Sequence, residues 1–392
     1  GEQLSALTGG PTVTSPLGTK IAVRGEYPDE TVTLWDVATG TQIAQIAGDG
    51  FTDPVFSPDD TKVVTVVPGE TTIHDTATGA ELARFVGEYP QFSPSGTKVV
   101  TQGYDDSGGS KVTVWDPATG GQISSFQSDS FGASFSPDES RLVTSNYDGT
   151  YTLWDTVSGL EVTSVTADVF GGFSADATRI VTADYDDDYV ESTMTVWDAA
   201  TGAPIVSAPG DGQFSPDGSQ VASSDGGGTV SVWASATGAA EFSVAGDWFG
   251  GFTPDGTMML TVEDDGTIAA WDTEVGTELA TAEGEPGAHV GFSDGPAVIA
   301  IGDHVRVWDV GLVGFVEGDY LVGFGPDGKL FTGSYEDDAV TVWDLATGDS
   351  LYALVGHTGH VNSIAFGLDG TTIATASSDG TTRLWSTTDL AE

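Results

Sequence analysis

The chain contains no cysteine. That absence excludes disulfides, thiolate nucleophiles and cysteine-ligated zinc together. It leaves the redox compartment open. Basic residues are scarce: 11 Lys plus Arg stand against 59 Asp plus Glu, a formal net charge of −48. Such a surface repels phosphate, so nucleic acid and anionic membrane are poor partners, while basic proteins and cations are favoured ones. A hydrated acidic surface also serves solubility in a salty cell, and that reading stands beside the first. No apolar run approaches the ~20 residues that cross a bilayer. Gly1-Glu2-Gln3-Leu4-Ser5 lacks the basic start and apolar stretch of a secretory leader, which tilts the expected compartment towards the cytoplasm. The chain opens on Gly1, so a leader or an upstream domain is a further expectation.

Histidines number five, and none pairs in sequence with a nucleophile. No catalytic residue, cofactor site or metal site is expected, and the chain reads as a non-enzyme. Asp184, Asp186 and Asp188 alternate and are followed by Glu191. A helix-loop-helix calcium loop starting at Asp184 would need Gly at its sixth position and Glu at its twelfth. Those positions hold Tyr189 and Thr195, so the motif fails and a solvated acidic turn is expected.

What the chain does have is 54 glycines, a 39% hydrophobic content that can bury a core, and a repeat. A short alternating strand ending in Trp-Asp recurs from end to end. It is Val32-Thr33-Leu34-Trp35-Asp36 in the first copy and Val112-Thr113-Val114-Trp115-Asp116 in a later one. Trp154, Trp197, Trp233, Trp271, Trp308, Trp343 and Trp385 mark further copies, and His74 fills the Trp slot of the second. The ten copies lie 35 to 43 residues apart. About twenty residues upstream in the later copies stands a Phe followed by a tight turn, as in Phe56-Ser57-Pro58-Asp59. A β-rich run follows, then a second turn that is often Asp-Gly, then the Trp strand, a third turn and a fourth strand. Four short strands joined by hairpin turns form an antiparallel meander. Such a sheet cannot bury both faces alone, and stacking with one Trp wedged between neighbours gives a propeller.

The chain resembles the WD-repeat (Trp-Asp repeat) β-propeller family, bacterial-type, over essentially its whole length. The resemblance implies a hydrogen-bonded network within a blade. Carried over to the best copy, it comprises His357, Thr375 or Ser377, Asp379 and Trp385, all in a structural role. Other copies have an acid where His would stand, as in Gly48-Asp49, Gly87-Glu88 and Gly246-Asp247, and their loops before the Phe are shorter. The network is therefore in doubt for most blades.

Residues 3–8 resemble a fourth strand, and the last copy has none of its own. The expected fold is all-β: a single β-propeller of ten four-stranded antiparallel blades, one domain over 1–392, closed by the N-terminal strand joining the last blade. Two smaller propellers are the alternative, although no linker or composition shift marks a division.

Six aromatics precede the core Phe in the loops that, by the resemblance, open on the face where partners dock. They are Phe51, Tyr89, Phe131, Phe170, Trp248 and Tyr320, with Asp49, Asp247 and Asp319 beside them. They read either as interface anchors or as caps on the blade ends. Lys20, Lys62, Lys98, Arg141, Arg179 and Lys329 each start a second strand and are expected to pair with nearby turn acids. The expected function is an interaction scaffold, a monomer presenting an acidic face to a basic protein or peptide. The resemblance adds a docking or sensor end of a larger signalling protein. A small-ligand or cation sensor using the central channel is the alternative, and a propeller enzyme the third.

Overall fold

The computed structural model describes residues 2–8, 12–25, 30–104, 108–186, 192–283, 289–292, 297–301, 304–309, 312–315, 320–325, 329–336, 338–344, 347–366 and 372–386. Of 2–8, 131, 289–292, 297–301, 304–309 and 312–315 it describes the backbone alone. All regular structure among these residues is β-strand, arranged as ten four-stranded antiparallel sheets. They divide between two compact units. The first unit, Gly1–Ser128 with Val316–Glu392, holds the sheets within 12–47, 55–86, 88–127 and 320–354 and the terminal sheet. The second, Asp129–Phe315, holds those within 130–166, 169–209, 213–245, 248–282 and 289–315.

Each repeat folds as the meander its turns dictate. In the sheet within 130–166 the strands are Ser130–Phe135, Arg141–Asn146, Thr150–Asp155 and Glu161–Thr166, paired in chain order. The second and third strands read as apolar runs because both of their faces are covered. Leu142, Val143, Thr144, Tyr151, Thr152 and Leu153 are all buried. The fourth strand is an edge and alternates instead, with Val165 buried between exposed Ser164 and Thr166.

The Trp of one blade packs on the blade before it. Trp115 stacks on Phe85 with ring centroids 4.8 Å apart and planes 13° from parallel. Trp197 lies against the core of Leu153, Val165 and Ile180, and Trp271 against that of Ala222, Val232 and Val244. Trp35 lies against Ala374 and Leu384 of the terminal sheet. The expected wedge between adjacent sheets is thus present in both units.

Turn carboxylates complete the blades. The hydroxyl of Ser57 donates to Asp59 Oδ1 at 2.6 Å and Thr61 N donates to the same oxygen at 3.1 Å, while Ser57 Oγ accepts from Lys62 N. Ser136, Ser174, Ser215 and Thr253 repeat this with Asp138, Asp176, Asp217 and Asp255. Asp60 reaches across to the preceding sheet, where it accepts from Ser15 Oγ, Leu17 N and Thr19 N.

The terminal sheet takes strands from both ends of the chain. Val361–Phe366, Thr372–Ser377 and Thr381–Ser386 pair in order, and Glu2–Thr8 pairs antiparallel with the last of them. The register runs from Glu2 opposite Ser386 to Thr8 opposite Thr381, with one irregularity between Gln3 and Ser5.

Candidate functional site

The last blade carries the network that the resemblance implied. Trp385 Nε1 donates to Thr375 Oγ1 at 2.8 Å, His357 Nε2 lies 2.8 Å from the same oxygen, and His357 Nδ1 lies 2.9 Å from Asp379 Oδ2. An indole N–H only donates, so Thr375 accepts there and joins the indole to the imidazole, whose other nitrogen faces Asp379. Thr375 therefore fills the place left open between it and Ser377, whose hydroxyl donates to Gly359 O. Burial works against ionisation of Asp379, yet hydrogen bonds from Thr381, Thr358 N and His357 outweigh it and hold the carboxyl well below its usual range. All four residues brace the fold of the blade.

The half of the network that joins Trp to Thr recurs without histidine. Trp115, Trp154, Trp197, Trp271 and Trp343 donate to Thr101, Thr144, Thr182, Thr261 and Thr332 at 2.8–2.9 Å. A backbone carbonyl replaces the imidazole in two of them. Thr261 Oγ1 donates to Ala245 O at 2.9 Å and Thr101 Oγ1 to Val86 O at 3.3 Å. The shortened loop makes this possible by laying its glycine on the threonine. At Gly246, φ is +153° and a Cβ would stand 2.5 Å from Thr261 Cβ. His74, in the Trp slot, is only 3.4 Å from Thr65 Oγ1 through Nε2, and burial lowers its pKa from the ordinary value.

The acids of the shortened loops have a local task. Asp247 Oδ2 accepts from Asp264 N, and Asp168 Oδ2 from Tyr185 N, both at 2.8 Å. Asp49 accepts from Phe51 N, Thr52 N and Thr52 Oγ1; burial opposes its ionisation, but these bonds prevail and lower its pKa. Asp319 lies outside the described residues.

The six aromatics do not form one ring of equivalent side chains. Phe51, Tyr89 and Trp248 are 70%, 70% and 59% exposed, which fits anchors. Tyr89 also holds φ at +53°, a region aromatic residues rarely enter. Phe170 instead packs into the core, 5.6 Å from Tyr151 and 5.4 Å from Phe173 between ring centroids. The reason is a one-residue offset. Trp248 pairs with Val262, and the matching residue in the earlier blade is Val169, opposite Ala183. Phe170 matches Phe249, which packs on Phe252 in the same way. Successive strand residues face opposite sides, so one step turns an anchor into a core residue. Tyr320 shares the register of Trp248 but lies over Gly333, stacks 5.0 Å from Tyr335, and accepts from Val361 N through its hydroxyl. Of Phe131 only the backbone is described.

Beside Trp248 the second unit contains a cavity of about 640 Å³. Its lining includes Asp211, Gln213, Ser224, Asp225, Trp248 and Phe249. Tyr185 donates its phenolic proton to Asp211 Oδ2 at 2.9 Å, and Asp225 Oδ1 accepts from Gly227 N and Thr229 N. Both carboxylates are thus held in place by neutral donors, and no Lys or Arg is among the described residues lining the space. Residue patterning alone drew attention to Trp248 but missed Asp211, Gln213 and Asp225. The available signal was loop length. Gly210 precedes Phe214 by only four residues, and the first strand there is just Gln213–Phe214. Asp184 stands nearby in sequence, its carboxyl raised by burial and by the charge of Asp168; Asp188 and Glu191 lie outside the described residues.

Three of the six second-strand cations are seen in the expected local pairs, while Lys62 donates to the Thr61 hydroxyl. Lys20 pairs with Asp36 at 3.0 Å, Arg141 with Asp155 at 3.2 Å and Arg179 with Asp176 at 2.9 Å. Arg24 lies against the carbonyl of Phe51 and 3.4 Å from Asp53, which ties down the loop carrying that aromatic. Among the described residues no cluster of His, Asp and Glu has the arrangement of a metal site. No described helix is long and apolar enough to cross a membrane.

Two consequences of this electrostatic layout can be measured. The uncompensated charge of −48 should make thermal stability rise with salt as self-repulsion is screened. A melting temperature that stays flat from low salt to molar KCl would contradict it. Acid should act differently. Burial opposes ionisation at Asp59 and Asp176, but their turn hydrogen bonds hold both at about 2. Folded values below the unfolded value of about 3.9 mean stability that is present above that pH and lost as pH falls towards 2. Acid unfolding is therefore expected between about pH 4 and pH 2, and the turn variants Asp59→Asn and Asp176→Asn should flatten it in circular-dichroism titrations.

Four-stranded meanders stacked through their Trp residues define the class as blades of the β-propeller type. Residues 120–155, 202–234 and 348–386 match the WD40 family, described as WD domain, G-beta repeat, so the chain carries WD40 repeats. It is 42% identical over 60 residues to a serine-threonine kinase receptor-associated protein of Dictyostelium discoideum, covering 15% of this chain and 20% of that protein. It is 33% identical over 70 residues to a guanine nucleotide-binding protein subunit beta of Saccharomyces cerevisiae, covering 18% and 16%. The matched stretches span a fifth or less of these relatives, and both organisms are eukaryotes, so the expected bacterial cast draws no support from them. The crystal structure of a eukaryotic initiation factor aligns with a TM-score of 0.58 at 16% identity, over 86% of this chain and 96% of that one, which is a likeness of fold.

Proposed function

We propose that the protein is a non-enzymatic interaction scaffold that presents acidic, aromatic-bearing loops to a basic protein segment. The observation that carries this reading is Trp248, a large apolar side chain 59% exposed beside carboxylates that no cation neutralises. Phe51 and Tyr89, each 70% exposed before core Phe residues, add exposed aromatic surface in the first unit. Acids speed the encounter with a basic segment, and aromatics supply most of the binding energy. The relatives point the same way by name, one being receptor-associated and the other a subunit of a guanine nucleotide-binding protein. A docking or sensor role within a larger signalling protein is consistent with this reading.

The test is hydrogen exchange with a partner recovered by pull-down. Protection is expected in the loops of Phe51, Tyr89 and Trp248. Trp248→Ala should weaken binding by about 2 kcal/mol or more with the fold unchanged. Asp247→Asn should mainly slow association and reduce its salt dependence. Protection confined to the Asp-Thr-Gly turns after the Trp strands, with these loops unaffected, would show that the surface is wrongly chosen.

The single ten-bladed ring, one domain and monomeric, is likewise proposed over two smaller propellers. Its support is the terminal sheet built from both chain ends. Class averages from negative-stain electron microscopy that show two discs would overturn it.

A further inference from the structure

We propose that the cavity beside Trp248 is a recognition pocket for an arginine side chain of the docking protein, a step that rests on the scaffold reading and gives it a specific ligand. Three features of the cavity converge on a guanidinium. The first is size: about 640 Å³ admits a long side chain together with the backbone that carries it. The second is its wall. Trp248 is the first residue of its strand and leaves most of its indole open to solvent, a flat π-face on which a planar cation stacks. The third is the pair of carboxylates, Asp211 and Asp225, contributed by different turns.

Their preparation matters more than their presence. Asp211 is oriented by the Tyr185 hydroxyl and Asp225 by two backbone N–H groups, so each is fixed without losing its charge. Elsewhere in the chain, acids that end the Trp strands meet a cation, as Asp36 meets Lys20 and Asp155 meets Arg141. Here the described lining residues include no cation, so the charge is left for a visitor. Two carboxylates are too few to hold a hard metal ion with protein ligands alone, and no described cluster has metal-binding geometry. An organic cation satisfies the site better. Arginine suits it more than lysine because its planar fork can stack on indole while donating to two separate carboxylates, and it sheds water more readily.

Glycines form part of the wall. Gly210 holds φ at +93°, and a Cβ there would fall 1.8 Å from Ser224 O. Gly212 is packed on Met194 and Val181, where a Cβ would come within 2.5 and 2.7 Å. Both backbones must therefore lie close to their neighbours where they line the cavity.

The test uses N-acetyl-arginine methylamide as probe, with the lysine analogue as control, titrated into the full chain and followed by NMR. Saturable shifts of the Trp248 indole N–H and of the Gly210 and Gly212 amides are expected, with a dissociation constant on the order of 1 mM for so small a ligand. The lysine analogue should bind at least about fivefold more weakly. Trp248→Ala and Asp211→Asn should each weaken the arginine probe about tenfold, whereas Glu274→Gln, at an exposed turn, should not. Absence of saturation at Trp248, equal response to both probes, or equal perturbation of other acidic turns would overturn the pocket. A protein partner that binds with unchanged affinity to Asp211→Asn would also overturn it, while leaving the scaffold reading intact. Loss of all partner binding at the Trp248 loops, with the arginine probe still saturating, would do the reverse.

Discussion

A chain lacking residues 2–8 should melt far below the full chain and associate at concentrations where the full chain does not. The strand Thr381–Ser386 is the reason. In the complete chain its backbone is paired on both sides, by Thr372–Ser377 and by Glu2–Thr8. It also carries Leu384 and Trp385, 0% and 1% exposed, at the centre of the terminal blade's packing. Removing the N-terminal strand opens a row of backbone donors and acceptors along a strand of otherwise buried residues. Each backbone bond lost costs about 0.5–1.5 kcal/mol net, and several go together, so a loss of several kcal/mol is expected. The open edge then becomes a template for another copy. A synthetic peptide of residues 1–11 added in trans should restore both melting temperature and monodispersity, because strand addition uses the same pairing. Unchanged melting and a monomeric profile in gel filtration would show that the terminal pairing contributes nothing.

Much of this is legible in the sequence. The alternation of Val32-Thr33-Leu34-Trp35 and the Phe-Ser-Pro-Asp turns have local causes, a period of two and the turn chemistry of Ser, Pro and Asp. They placed the meanders, the wedged Trp residues and the sharing of the terminal sheet. Lys20, Arg141 and Arg179 met turn or strand acids for the same local reason. The candidate site was less legible, because it depends on facing. Counting residues back from the core Phe grouped Phe170 with Trp248, whereas cross-strand pairing groups Phe170 with Phe249. The register irregularity between Phe170 and Gly172, matched by that between Phe249 and Gly251, makes simple counting unreliable there. The cavity was hidden for another reason. It arises where Asp211 and Asp225 come from separate turns and where a short loop leaves space, and neither is a motif.

Replacement of Trp385 by alanine should be the most damaging single change in the terminal blade, at about 3–5 kcal/mol for a buried tryptophan. Burial is only part of the effect. Trp385 Nε1 is one end of a chain that runs through Thr375 and His357 to Asp379, each link 2.8–2.9 Å long. Without the indole, Thr375, itself fully buried, loses a donor it cannot replace from water. Blades without histidine offer an internal comparison. Thr261 bonds both Trp271 and the carbonyl of Ala245, so Thr261→Val breaks two bonds, one of them to a backbone group. Thr375→Val breaks the link between Trp385 and His357, of which the histidine alone is also held by Asp379. The cost of Thr375→Val should therefore depend on His357, and that of Thr261→Val should not. Urea unfolding of Thr375→Val, His357→Ala and the double variant should show non-additivity of about 1 kcal/mol or more. The same cycle with Thr261→Val and His357→Ala should be additive within about 0.5 kcal/mol. Additivity in both cycles would mean that the histidine blade is no more cooperative than the rest, and that the carbonyl of a shortened loop replaces the imidazole in full.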